Sequence, residues 1–248
     1  MAKMDIRVVE TSQQSLEGYT LVEGFPGMGL VGTIAAKYLV EKLEVKEIGH
    51  IHSESFVPII RIHNGMPVRP SRIFVSEKNK LVILISEQII PKQHTQAVSE
   101  AVVDWIRDRK IKRIISLSGI GIEGTGKELK LYGIASNEAS KKLLKENSIQ
   151  PIQEGITTGV IALILLDLKD DESVEAISLL ASIKSGADYT AAAELLKKLN
   201  LMLGLEINVE PLVKEARETE KALVKQLEKL KQTHETVRKI EDQTPMYA

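Results

Sequence analysis

Short apolar runs and amphipathic stretches alternate along this chain. Tyr19 to Gly24 reads as a strand. From Leu30 to Leu43 the apolar residues Leu30, Val31, Ile34, Ala35, Tyr38, Leu39 and Leu43 keep helical spacing, leaving lysines and glutamates to the other face. The glycine-rich turn Phe25 to Gly32 joins the two. Val45–Ile51 and Phe56–Ile62 predict further strands, and Met66–Pro70 a loop. Arg72–Ser76 and Leu81–Ser86 predict a strand pair across a polar turn at 77–80. Because Leu81–Ile85 is apolar on both faces, it suits a central strand.

The spacing of Ala97, Val98, Ala101, Val102, Trp105 and Ile106 predicts a helix over Gln93–Arg109. A buried strand at Lys112–Ser118, an extended stretch at Glu128–Ile134 and a helix at Asn137–Glu146 follow. Thr158–Leu168 is an apolar run read as a buried helix, and Val174–Ile183 is the last predicted strand. Strands alternating with helices predict an α/β sandwich around a largely buried sheet.

After Gly186 the pattern becomes helical. Asp188 is placed to cap a helix running through Leu195, Leu196 and Leu199. A break spans Gly204–Asn208, and Pro211 suits the first turn of the next helix. Val213, Ala216, Leu223, Leu227, Leu230 and Val237 then fall on alternating three- and four-residue steps, interrupted at Glu220 and His234. That seam predicts a helical hairpin or short coiled coil, with Leu223, Leu227, Leu230 and Val237 as the oligomer interface. The expected organisation is an α/β core over 1–186, a helical arm over 187–241 and a docking tail over 242–248.

Composition narrows the function classes. With 33 Lys and Arg against 34 Asp and Glu, the net charge of -1 favours neither nucleic acid nor an anionic membrane. Cysteine is absent, which removes disulfides and thiolate chemistry. The longest nearly uncharged run, Gly155–Leu166, is too short to span a bilayer. Residues 1–10 lack the apolar core of a signal peptide. A cytoplasmic protein is expected.

Two glycine loops invite a nucleotide. Gly27-x-Gly29-x-x-Gly32 has the dinucleotide spacing between a strand and a helix, but no acidic residue closes the next strand cleanly, Glu54 being the nearest. The alternative is a tight turn with close helix–sheet packing. The second loop, Gly119 to Gly126, repeats that spacing and partly imitates a P-loop. Glu128, however, stands where Ser or Thr would hold magnesium. His50 and His52 alternate along a strand end without a third metal ligand nearby, so no metal site is expected. Ser116 and Ser118 close a buried strand without a nucleophile elbow. No catalytic set and no cofactor are expected.

The stretch Glu23-Gly24-Phe25-Pro26-Gly27-Met28-Gly29-Leu30-Val31-Gly32, followed by Ala35, Ala36 and Leu39, resembles the opening signature of the proteasome assembly chaperone family, in its archaeal branch. Leu179-Leu180-Ala181, Asp188, Ala192-Ala193, Leu195-Leu196 and Leu203-Gly204-Leu205 resemble its closing segment. The likeness spans Tyr19 to Ala216. It implies a non-enzymatic, phosphorylase/hydrolase-like three-layer sandwich with a mixed sheet and a C-terminal helical extension. It also implies an ATP-independent homo-oligomer, or an oligomer with a related member, acting on proteasome α subunits. In that reading Gly24, Gly27, Gly29 and Gly32 form a structural loop. Met246, Tyr247 and Ala248 match the family's hydrophobic–tyrosine–any docking motif, in which a carboxylate pairs while the aromatic ring fills a pocket.

Overall fold

The computed structural model describes residues 6–121, 129–183 and 186–214. The elements in chain order are β1 (Ile6–Glu10), β2 (Thr20–Gly24), α1 (Val31–Lys42), β3 (Lys46–Ser53), β4 (Arg61–His63), β5 (Met66–Val68), β6 (Ser71–Ser76), β7 (Leu81–Ser86) and α2 (Thr95–Asp108). They continue with β8 (Arg113–Ile120), β9 (Leu131–Ala135), α3 (Glu138–Glu146), β10 (Gln150–Pro151), α4 (Val160–Asp167), β11 (Glu175–Ser182), α5 (Tyr189–Leu203) and α6 (Glu210–Lys214).

Among the described residues nine strands form one sheet, in the order β1-β3-β6-β7-β2-β8-β11-β9-β10. Its centre, β7-β2-β8-β11, is parallel. On both flanks the pairing turns antiparallel, β6 against β7 and β9 against β11. The strands alternate strictly between two cores. Val22, Ile83, Ile115 and Ile177 face one side with α1, α3 and α5, while Leu21, Leu84, Ile114 and Ala176 face the other with α2 and α4. A sheet covered on both faces needs apolar residues at successive positions, which is why Leu81–Ile85 is apolar throughout. The result is the mixed three-layer α/β sandwich.

Local chemistry sets the helix ends. The Asn137 side chain accepts from the Ser140 amide at 2.9 Å, and Asp188 accepts from the Ala191 amide at 2.9 Å, each satisfying a donor of the first turn. Gly204, with φ +62°, closes α5. Leu195, Leu196 and Leu199 of α5 are fully buried in the same core as α1, so the described part of the expected arm packs on the sandwich. Of the seam, Val213 is described and exposed. Leu223, Leu227, Leu230 and Val237 lie outside the described residues.

Three expectations are corrected. The expected strand Phe56–Ile62 forms only at its end, where Arg61 and Ile62 open β4; residues 57–60 are irregular, and Pro58 offers no ladder N–H. Met66–Val68 is not a loop but β5, paired with β4 through Asn64-Gly65. Both turn residues have positive φ, +49° and +76°, the geometry of a two-residue hairpin turn that Asn-Gly favours. Ile6–Glu10 forms an additional edge strand, where Arg7 and Glu10 suit a half-exposed ladder.

Candidate functional site

The carboxyl ends of the central parallel strands gather the chemistry. After β2 the chain turns to α1 on one face of the sheet, and after the neighbouring β7 it turns to α2 on the other. Such a switch in an open α/β sheet leaves a crevice at the strand ends. A cleft of about 870 Å³ lies there, over β8 and β11 and between the beginnings of α2 and α4. Phe25, Ser118 and Leu180 contribute from the sheet side, Thr95 from α2, and Thr158 and Val160 from the start of α4.

The glycine turn forms one edge of the cleft, and its geometry follows from packing. A Cβ on Gly24 would stand 2.3 Å from the Gly32 carbonyl oxygen, and one on Gly32 2.1 Å from the Leu117 carbonyl oxygen. Here α1 therefore rests directly on the backbones of β2 and β8, an approach that only glycine allows. Gly29 has φ +64°, and its carbonyl accepts from the Asp188 amide at 2.9 Å. Val31 through Ile34, the first turn of α1, are buried, and Thr33 donates to the Ser86 carbonyl at 3.3 Å. The first turn of α1 is thus covered by protein, whereas a dinucleotide site presents it to the pyrophosphate. Gly27, by contrast, lies open beside Ser118 on the cleft.

Beneath the cleft runs a polar row that sequence reasoning missed. Glu23 is paired in register with Ser116, and Ser116 with Ser178, all three buried on the α2/α4 side. Glu23 Oε1 accepts from the Phe25 amide at 3.2 Å, which turns the carboxyl toward the strand ends. Glu23 Oε2 and the Ser116 and Ser178 hydroxyls have no hydrogen-bond partner. Burial pushes the Glu23 carboxyl from 4.5 up to about 7; the nearby Ser116 hydroxyl and the Phe25 amide oppose this less strongly. Ser116 is thus near enough to favour the carboxylate yet outside good hydrogen-bond geometry. The available signal was a lone acidic residue inside an otherwise apolar central strand.

The other predicted chemistry is dispersed. His50 is buried and His52 half-buried, with ring centroids 6.4 Å apart and edge to face. Burial first, then Arg69 and His52, holds the His50 pKa below its ordinary value. Among the described residues no three His, Asp or Glu side chains gather as a metal site. Ser118 lines the cleft, while Ser116 lies buried below it. No described helix is long and apolar enough to cross a membrane. Met246, Tyr247 and Ala248 lie outside the described residues.

Comparison with known proteins places this architecture. The chain is 31% identical over 244 residues to the uncharacterized protein MJ0106 of Methanocaldococcus jannaschii, covering 98% of each. Among solved structures it is similar to Pyrococcus furiosus PbaA, an archaeal homolog of proteasome-assembly chaperone. That match has a TM-score of 0.82 at 29% identity and covers 92% of this chain and 99% of PbaA. The fold is also that of Pyrococcus furiosus PbaB, an archaeal proteasome activator, with a TM-score of 0.74 at 23% identity and coverage of 90% and 98%. The PAC2 family model matches residues 21–227, most of the chain, and with it the glycine turn, the central parallel strands and both helical layers: the chain belongs to the PAC2 family.

Proposed function

We propose that this chain is an ATP-independent proteasome assembly chaperone, or activator-like oligomer, that docks on proteasome α-subunit rings through several Met246-Tyr247-Ala248 tails. The observation that carries this reading is the likeness to PbaA over nearly the whole of both chains. The tail residues add a docking chemistry: an apolar side chain beside an aromatic ring. Leu223, Leu227, Leu230 and Val237 supply the seam that joins the copies.

Multivalency is the mechanism. One tail buries a tyrosine ring and one apolar side chain, which supports only a few kcal/mol once ordering costs are met. Several tails on one oligomer facing equivalent pockets raise avidity by about 10²–10⁴. Oligomerisation and docking are therefore one function: a protomer without its seam binds weakly even with an intact tail.

Native mass spectrometry of the full chain mixed with α rings tests this, alongside a chain ending at Pro245. Complexes with the full chain alone are expected. Equal binding by both chains moves the contact to the α/β body and refutes tail docking; binding by neither refutes the proposed function. Tyr247→Ala is expected to lose ring binding while keeping the oligomer mass.

A further inference from the structure

The geometry points to the outer face of α4, together with the cleft mouth beside it, as an interface that packs against the same face of a second copy of this chain. The contact lies on the α/β body, goes beyond proteasome docking and does not depend on the Leu223–Val237 seam.

Gly155–Leu166 is a run without charge in the sequence. In the fold it is not interior: it forms the approach to α4 and most of α4 itself, on the outside of the sandwich. Val160, Ile161, Ile164 and Leu165 turn inward on helical spacing and are buried. The positions between them are Ala162 and Leu163, half-buried, and Leu166, 63% exposed. A surface helix ordinarily carries polar residues there. Its neighbour α2 does so, exposing Glu100, Asp104 and Arg107. Helix α4 therefore has two apolar faces, of which the described fold covers one.

The open face continues past the start of the helix. Ile156 is 97% exposed, and Met28 and Ile89, 56% and 45% exposed, stand on the rim of the same cleft. Val160 lines that cleft and Leu166 stands about 9 Å farther along the helix axis, so cleft mouth and helix face form one surface. Among the described lining residues Glu154 is the one charged side chain, and it is exposed. Large apolar side chains gathered on one surface mark a contact site.

Two properties identify the occupant. The face carries almost no charge, so little on it steers or selects a charged partner. Interfaces between identical subunits are the more apolar ones, with charge depleted at their centres. The face also sets a projection next to a hollow: Ile156 stands out beside a cleft of about 870 Å³ walled by Phe25, Ile90 and Leu180. A two-fold contact requires a patch that is its own complement, each copy giving what the other receives. Ile156 of each copy entering the cleft of the other, with the two α4 faces packed together, meets that condition.

The chain has no cysteine, so one introduced thiol reports on this face alone. In the full chain at about 100 μM, Ile156→Cys is expected to react with N-ethylmaleimide about tenfold more slowly than Lys78→Cys, at the exposed β6–β7 turn. Leu166→Lys, at an exposed position near the end of α4 where a cation suits the helix, should bring the Ile156→Cys rate to within about twofold of that control. Sedimentation velocity then reads the contact without the seam. The Leu227→Asp chain should still form a dimer or larger, and Leu227→Asp with Leu166→Lys should be a monomer with wild-type circular dichroism. Equal rates at the two thiols overturn the proposal and leave the face to a foreign partner. Protection that survives Leu166→Lys overturns it too, because a segment of the same protomer then covers Ile156. So does a monomeric Leu227→Asp chain, or a double variant that keeps its mass. None of these outcomes bears on whether the tail binds α rings.

Discussion

Replacing Glu23 by glutamine isolates the energetics of the buried polar row. In the unfolded chain this carboxyl titrates near 4.5, and in the folded chain near 7, so the folded state holds its proton more tightly between those values. Protons bound preferentially by the folded state make stability fall as pH rises. The proton-linked stability is fully present below pH 4.5, declines from there to about 7, and is gone above that. The interval corresponds to about 3 kcal/mol. Glutamine has nearly the same shape, keeps an oxygen for the Phe25 amide and places a donor beside Ser116, and it cannot ionise. The stability of Glu23→Gln relative to wild type should therefore rise by about 3 kcal/mol between pH 4.5 and 8 and then level off. Urea unfolding followed by far-ultraviolet circular dichroism, at one protein concentration for both chains, measures this. With a slope of about 3 kcal/mol per molar, the midpoint difference should change by about 1 M. His50 titrates with the opposite sign: its lowered pKa costs stability as pH falls below its ordinary value of 6.5. That contribution is common to both chains and cancels in the difference. A wild-type-minus-variant difference that is flat from pH 4.5 to 8 would refute the reasoning, since the carboxyl would then be no harder to ionise folded than unfolded.

Other perturbations reach separate features of the fold. Gly32→Ala, whose new Cβ would meet the Leu117 carbonyl oxygen at 2.1 Å, should cost about 3 kcal/mol in a urea titration because helix and sheet must part. Gly27→Ala meets the Ser118 hydroxyl at 3.1 Å and the Phe25 carbonyl oxygen at an ordinary 4.0 Å, and should cost less than about 1 kcal/mol. Glu87, buried between Arg61 at 3.1 Å and Arg72 at 3.1 Å, ties the β4–β5 hairpin to the sheet. Glu87→Gln should destabilise by about 3 kcal/mol and speed proteolysis near residues 61–68, checked by limited digestion and peptide mapping. Asn137→Ala removes the cap of α3 together with bonds to the Asp171 and Val174 carbonyls, and should lower stability by about 2 kcal/mol by the same urea assay. Leu227→Asp should reduce the oligomer mass in sedimentation and weaken ring binding; an unchanged mass with unchanged binding would remove the seam from the proposed mechanism.

Much of this protein was legible because local physics and the fold agree. Leu81–Ile85, apolar on both faces, suited a covered central strand, and helical spacing with a cap at Asp188 identified α5. The Gly24–Gly32 pattern signalled close packing, although spacing alone also matched a nucleotide turn. Tertiary structure adds that the first turn of α1 is buried and that Gly24 and Gly32 stand where helix and sheet backbones meet. The hairpin at Asn64-Gly65 was written in its turn residues, but its strands are too short and too exposed to show periodicity. The site was least legible. Glu23, Ser116, Ser178, Thr95 and Thr158 are far apart in the chain, and each is ordinary where it stands. What joins them is the parallel pairing of β2, β8 and β11 and the placing of α2 and α4 on one face. Periodicity along a chain records which side of an element is buried; which strands become neighbours depends on long-range contacts and leaves no local mark. The elements, their apolar faces and their caps were thus decided by sequence, while strand order, and with it the cleft and its buried carboxyl, was decided only in three dimensions.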